Sequence, residues 1–141
     1  MEKPKATNKE YTLEGKKIVT ETDLRGFITY GNQQFYTACG YTMQELRKQT
    51  HDIIRHPNMP SLIFEKMWAA ITSGVEWRGF LQNLRKDGSF YWVEAHIIPR
   101  RDAKGEIIGY ISSQGQPDPS DLIAIKEQYK TMRQEEDAQK G

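Results

Sequence analysis

The groups in this sequence best suited to holding a ligand are two side-chain amides and an arginine and a histidine that are neighbours in the chain. Asn83 and Gln114 each carry a hydrogen-bond donor and an acceptor, and both lie in segments rich in β-favouring residues. Arg55 and His56 precede Pro57, and a guanidinium can bind a phosphate through two parallel hydrogen bonds. An ion pair or a contact that braces a loop would use the same pair.

The histidines also raise the question of haem or metal ligation. His51 and His56 are close in sequence, but the helix predicted over residues 60–73 contains no histidine. His96 lies in a predicted strand and has no partner pattern, so no metal-ligand cluster stands out. A lone histidine before a helix is more often hydrogen-bonded than bound to a metal.

Composition narrows the class of protein. The chain has 141 residues, enough for one domain, and its 20 Lys and Arg against 19 Asp and Glu give no footprint of a nucleic-acid binder. A single cysteine, Cys39, fits a reducing cytoplasm. No apolar run approaches the roughly 20 residues of a membrane span. We expect a cytoplasmic segment, either free or part of a membrane-anchored receptor, and the absence of nucleophile or phosphate-loop motifs predicts no enzyme.

The elements that must position these groups form an α+β pattern. Residues 1–14 are polar and aperiodic, which predicts a flexible N-terminal arm. Gly-rich turns, including Asp87-Gly88, separate β-favouring segments. The pattern predicts strands over 15–20, 27–30, 77–85, 90–100 and 107–114, short helices over 32–39 and from 42, an irregular segment over 51–58 and a longer helix over 60–73.

The C-terminal segment, residues 117–141, is predicted to be a separate helix. Asp118 can cap it and Pro119 suits its first position. A narrow apolar stripe follows at helical spacing, formed by Leu122, Ile125, Tyr129 and Met132. This stripe cannot bury itself alone, so the helix either packs on the domain or pairs with a second copy as a homodimer.

The order of short motifs over residues 15–116 resembles the PAS family of sensor domains. The matching residues are Gly31-Asn32, Phe35, Gly40-Tyr41, Glu45-Leu46, Trp77-Arg78-Gly79, Arg85-Lys86-Asp87-Gly88, Tyr91-Trp92-Val93, Pro99, Gly105 and Gly109-Tyr110. The resemblance implies the PAS fold, a five-stranded antiparallel sheet with short helices on one side, followed by a C-terminal output helix.

A narrower resemblance is to the PAS domain of bacterial aerotaxis receptors. The segments that carry it are TYGN (29–32), RHPNMP (55–60), FEKMW (64–68), VEWRG (75–79) and NLRKDGSFYW (83–92). It implies a non-covalently bound FAD whose redox state is converted into a chemotaxis signal. Asn58 and Gln114 depart from that family's usual residues, an acidic and a basic one.

The resemblance also suggests which residues contact the flavin. Asn83 and Gln114 match amides that face the ring in the related light-oxygen-voltage domains, whereas Val93 replaces their second asparagine. The cysteine that forms the photoadduct in light-oxygen-voltage domains is absent here, because the residues before the helix predicted over 60–73 are Arg55, His56 and Pro57. Further expected contacts are ring packing by Trp77, phosphate binding by Arg55 and His56, and pocket positions for Asn32 and His51.

Three alternatives remain open on the sequence alone. FMN could replace FAD, a haem could make the domain a gas sensor, or the domain could be a cofactor-free interaction and dimerisation module. In each case we expect the partner to be a downstream signalling domain of the same or another chain.

Overall fold

Five antiparallel strands form one sheet in which the last strand of the chain occupies the centre. The computed structural model describes residues 2–140. The strands are β1 (Ile18–Asp23), β2 (Ile28–Gly31), β3 (Trp77–Leu84), β4 (Phe90–Arg101) and β5 (Ile107–Gly115). Their order across the sheet is β2-β1-β5-β4-β3, and all neighbours are antiparallel. The predicted α+β fold with a five-stranded sheet is confirmed.

Four α-helices and a short 3-10 helix accompany the sheet. They are α1 (Gln33–Cys39), α2 (Met43–Leu46), the 3-10 helix (His51–Ile54), α3 (Ser61–Thr72) and α4 (Pro119–Lys140). The predicted ends of the first two are confirmed. Asn32 caps α1, Gly40 ends it with a φ of 81°, and Thr42 forms a capping box with Glu45 at α2.

Part of the N-terminal segment is ordered against the sheet, which differs from the prediction of a flexible arm over residues 1–14. The backbone N–H of Tyr11 donates to the Phe90 carbonyl at 2.7 Å, and the Phe90 N–H donates to Lys9. Leu13 is buried, and the Tyr11 ring meets Tyr91 edge to face. The polar composition of this segment predicts a free arm. The few contacts that hold it are made with the β3–β4 hairpin, which is distant in the sequence, so local composition does not reveal them. Met1 lies outside the described residues.

The apolar stripe of α4 packs on the domain, so the first of its two predicted alternatives is the one observed. Tyr129 is buried, its ring lies 5.9 Å from that of Trp92, and its hydroxyl donates to the Phe80 carbonyl at 2.6 Å. Leu122, Ile125 and Met132 pack against the same core. In this conformation Tyr129 is buried and the other three residues of the stripe are partly buried. None of the helices described here combines the length and apolarity needed to cross a membrane.

Removing the Tyr129 hydroxyl should weaken the docking of α4. Burial raises the pKa of this phenol to about 12, and its hydrogen bond to Phe80 is lost in Tyr129→Phe. We expect a loss of about 1 kcal/mol in the free energy of unfolding for Tyr129→Phe and about 3 kcal/mol for Tyr129→Ala, measured by urea denaturation. Ile123→Ala is the control on the same helix, because Ile123 is 73% exposed. Equal effects at both positions would contradict this packing.

Candidate functional site

A cavity of about 230 Å³ lies between the sheet and α3. The helix contributes an apolar wall of Phe64, Met67, Trp68 and Ile71. The strands contribute a mixed wall, in which Thr20, Thr22, Asn83, Ser112 and Gln114 lie beside Leu81, Ile97 and Tyr110. A cavity with apolar sides and a few converging polar groups is typical of small-molecule sites, although this volume is below the usual range of about 300–1,000 Å³.

Strand alternation explains why polar residues line one wall. Thr20 pairs across the sheet with Ser112, and Thr22 pairs with Tyr110, so these side chains share the face toward the cavity. Asn83 lies on β3 and Gln114 on β5, on either side of β4. Within the residues described, three strands bring to the cavity two amides and the hydroxyl-bearing residues Thr20, Thr22, Tyr110 and Ser112.

Three polar atoms on this wall are buried without a hydrogen-bond partner among residues 2–140. They are Nδ2 of Asn83, Oε1 of Gln114 and Oγ1 of Thr22. The Asn83 amide also lies beside the buried Tyr91 hydroxyl and lowers the pKa of that phenol against the larger rise caused by desolvation, although no hydrogen bond of good geometry joins the two groups. Asn83 and Gln114 are only 5% and 2% exposed, so water reaches them poorly. Leaving such a group unpaired costs about 1–3 kcal/mol, and most buried polar atoms in proteins are paired. These groups can pair with a polar molecule that enters the cavity.

Ser112 holds the Gln114 amide at one end. Nε2 of Gln114 donates to the Ser112 hydroxyl at 2.9 Å, and the amide oxygen is buried without a hydrogen-bond partner among the described residues. A serine hydroxyl can accept or donate, so Ser112 can also hold the amide after a 180° rotation. Gln114 therefore has two supported orientations, one presenting an acceptor and the other a donor.

His51 is a neutral group in the cavity wall. Its Nε2 lies 3.1 Å from the Thr20 hydroxyl, and its ring packs near Phe35. Desolvation lowers the pKa of His51 to about 4, because the charged imidazolium would lose its hydration. The ring is therefore uncharged near neutral pH and can donate or accept one hydrogen bond.

Arg55 provides a cation at the cavity without a carboxylate partner. The 3-10 helix ends at this residue, and its guanidinium lies 4.2 Å from the centre of the Phe64 ring. Nη2 donates to the Ser61 hydroxyl at 3.2 Å. No ion pair in the described part of the chain involves Arg55. Its remaining donors suit an anionic group.

The cavity brings together four of the seven residues predicted for the site, namely His51, Arg55, Asn83 and Gln114. Asn32 does not line it, because its amide is used by the backbone. The Asn32 side chain accepts from the N–H groups of Phe35 and Val19 and donates to the Lys17 carbonyl.

His56 and Trp77 also lie outside the cavity lining. Nδ1 of His56 accepts from the Asn58 N–H at 3.0 Å, and its ring meets Phe90 edge to face, so it is separated from its neighbour Arg55. The Trp77 ring lies over Gly79, where an added Cβ would be 2.4 Å from it. Trp77 therefore packs on its own strand and is not among the residues that line the cavity.

Sequence reasoning missed the hydroxyls of Thr20, Thr22 and Ser112. The available signal was alternation, since Thr-x-Thr in β1 and Ser-x-Gln in β5 put polar groups on the face of each strand that should be apolar. No group of three or more metal-ligating side chains converges within residues 2–140.

Because His51 is neutral in the folded state, the free energy of unfolding should fall in acid. The unfolded imidazole titrates near its ordinary value of 6.5 but the folded one near 4, so the unfolded state takes up the proton first as the pH falls. His51 should therefore remove on the order of 2 kcal/mol of stability between about pH 6.5 and pH 4, with the partial opening of the ring to the cavity limiting the loss.

The measurement is urea denaturation at several pH values. His51→Gln should flatten this part of the pH profile relative to the wild type. Thr20→Val removes the hydrogen bond but keeps the imidazole, so its pH dependence should survive. An unchanged slope in His51→Gln would contradict the assignment.

Comparison with known proteins places this geometry in a family. The PAS fold family matches residues 28–113. The chain is 37% identical over 115 residues to the aerotaxis receptor of Escherichia coli, a match that covers 82% of this chain and 22% of the receptor. It is 32% identical over 96 residues to the nitrogen fixation regulatory protein of Klebsiella pneumoniae, covering 68% of this chain and 19% of that protein. The chain thus spans less than a quarter of each of these relatives.

The fold is also similar to that of a solved sensor domain. The light-state structure of the LOV domain of the blue-light photoreceptor Aureochrome1 superimposes with a TM-score of 0.70 at 26% identity, covering 79% of this chain and 90% of that one. The family match extends over more than half of the chain, and the observed sheet and helices agree with it. This chain therefore belongs to the PAS fold family.

Proposed function

We propose that this domain is a cytoplasmic sensory module, and not an enzyme, that binds a flavin without a covalent bond. We take FAD as the first candidate flavin, and we propose that the domain responds to the redox state of the flavin and signals through α4. The observation that carries the proposal is the pair of buried, unpartnered amide ends of Asn83 and Gln114 in one cavity.

The residues present fit the flavin ring. The pyrimidine edge of an isoalloxazine alternates donors and acceptors, and the wall offers a free donor at Asn83 and a free acceptor at Gln114. Apolar groups such as Phe64 and Ile71 face the polar wall and suit the flat faces of the ring. The cavity of about 230 Å³ suits a ring system but not a whole dinucleotide, so the remainder of FAD would extend out past Arg55.

The guanidinium of Arg55 supports a flavin nucleotide over riboflavin, although Asp52 also lines the cavity. Arg55 has no carboxylate partner among the described residues and can meet a phosphate. Lys3 lies nearby, and its pKa is lowered by burial, raised by Asp52 and lowered by Arg55. FAD and FMN both carry a phosphate at the end of the ribityl chain, and similarity to an aerotaxis receptor supports FAD and a role in sensing oxygen or redox state.

The route from the cavity to α4 begins at Gln114. When bound, the flavin supplies reversible redox chemistry that can change a ring nitrogen from a hydrogen-bond acceptor into a donor. Because Ser112 supports both orientations of the Gln114 amide, the residue can present the matching atom in each state. Gln114 lies on the central strand beside Ile18 and Ala95, and α4 begins at Pro119 soon after β5 ends. A change at Gln114 can therefore alter the packing of α4.

Adduct chemistry through a cysteine is not part of this proposal. Cys39 ends α1 and is absent from the cavity lining within the described chain. Burial raises the pKa of its thiol to about 11, so the reactive thiolate is scarce at neutral pH.

The test is the visible absorption spectrum of the purified protein before and after reduction with dithionite. We expect the bands of an oxidised flavin, their bleaching on reduction, and release of FAD on denaturation. Release of FMN would correct the nucleotide only. A Soret band, or a colourless protein that fails to take up added flavin, would contradict the proposal and favour a haem sensor or an interaction module.

Replacing Gln114 should separate flavin binding from the helix response. Gln114→Leu removes both amide orientations, so reduction should no longer change amide hydrogen exchange in α4, although the flavin still binds with roughly tenfold weaker affinity. Gln116→Leu is the matched control, because Gln116 is exposed between β5 and α4. A redox-dependent change in α4 that persists in Gln114→Leu would remove Gln114 from the mechanism.

A further inference from the structure

Helix α3 obtains its N-terminal cap from the far end of the chain. The capping position is occupied by Pro60, which has no side-chain acceptor. The backbone N–H groups of Ser61 and Leu62 instead donate to the two carboxylate oxygens of Glu136, each at 3.1 Å. Because Glu136 belongs to α4, the start of α3 is completed only when α4 is docked.

Charge favours this contact as well as geometry. A carboxylate at a helix N-terminus interacts favourably with the free N–H groups and the helix dipole. Desolvation raises the pKa of Glu136. The hydrogen bonds from Leu62 and Ser61 and the nearby charges of Arg133 and Lys140 together lower this pKa by more, so the net shift is downward. The group is therefore ionised at neutral pH and able to hold both N–H groups.

Ser61 joins this cap to the cavity. Its backbone N–H donates to Glu136, and its hydroxyl accepts from Nη2 of Arg55 at 3.2 Å. The Arg55 guanidinium also lies on the ring of Phe64, one turn into α3. The position of the guanidinium is thus set by two side chains of the first turns of α3, and the start of α3 is held by α4.

We propose that Glu136 is a positioning residue for Arg55, so that the docked α4 holds the guanidinium ready for the phosphate of a flavin nucleotide. The inference rests on the proposed function and adds a second connection between cavity and α4, through α3 instead of β5. Linkage makes the effect reciprocal: a phosphate-bearing flavin stabilises the docked helix, and release of the helix weakens binding of that flavin.

The sign of the effect distinguishes positioning from simple charge. Glu136 is an anion, so its removal would strengthen the binding of a phosphate if only the local charge mattered. The positioning role predicts the opposite. It also predicts that riboflavin, which has the same ring but no phosphate, is bound equally well with or without Glu136.

The experiment is a titration of the full chain, freed of any bound flavin, with riboflavin, FMN and FAD, followed by flavin fluorescence. Glu136→Ala should raise the dissociation constants of FMN and FAD about fivefold or more and leave that of riboflavin unchanged. Glu136→Gln keeps one acceptor oxygen and should be intermediate. Glu135→Ala is the matched control, because Glu135 is exposed and its substitution removes the same charge from the adjacent position.

A readout without ligand completes the test. Amide hydrogen exchange at Ser61 and Leu62 should speed up in Glu136→Ala but not in Glu135→Ala, because only the first loses the cap. Equal FMN affinities in the two alanine variants, or an equal loss of riboflavin and FMN binding in Glu136→Ala, would overturn the inference while the proposed function stands. A wild-type chain that binds none of the three flavins would overturn both.

Discussion

Unpaired polar groups inside a small domain are the constraint on which this account depends. A domain of this size gains little net stability from folding, and each unpaired buried group removes about 1–3 kcal/mol of it. Leucine at positions 83 and 114 would fill the same wall without that cost. The domain instead keeps the amides of Asn83 and Gln114, each with one atom that lacks a well-formed hydrogen bond, in the lining of one cavity. Retaining both groups makes physical sense if a bound molecule pairs with them.

The order of the strands connects the cavity to the C-terminal helix. The central strand β5 is also the last strand of the chain. Gln114, which lines the cavity, is therefore followed directly by the segment that leads into α4. The helix then returns across the sheet, where Tyr129 meets Phe80, and reaches the start of α3, where Glu136 caps Ser61 and Leu62. Both walls of the cavity are therefore connected to α4. The sheet is connected to it by the segment that follows β5, and α3 by the hydrogen bonds to Glu136.

Local sequence patterns predicted the fold, and the two amides that they singled out both line the cavity. Caps such as Asn32 and the Thr42–Glu45 box depend on neighbouring residues, so they could be assigned without tertiary structure. The first strand was placed too early because Glu14 and Gly15, both with positive φ, turn the chain before Ile18. The choice between intramolecular packing and pairing of α4 required knowledge of Phe80 and Trp92 on the outer face of the sheet.

The remaining differences arise where adjacent residues diverge in space. Arg55 and His56 form one motif in the sequence, yet the extended backbone that follows the 3-10 helix directs one side chain to the cavity and the other to Phe90. Likewise, Trp77 turns back on Gly79 of its own strand, which spacing alone does not reveal. The docked N-terminal segment depends on the β3–β4 hairpin, about 80 residues away in the chain.

The most direct test of the central claim is a nitrogen–proton NMR spectrum of the side-chain amides, recorded without flavin, with oxidised flavin and with reduced flavin. The account predicts that the Asn83 and Gln114 signals both shift on binding, that Gln114 shifts again on reduction, and that Gln116 does not move. Flavin binding that leaves the Asn83 and Gln114 signals in place would contradict the account, because the two unpaired amides would then not be what the ligand completes.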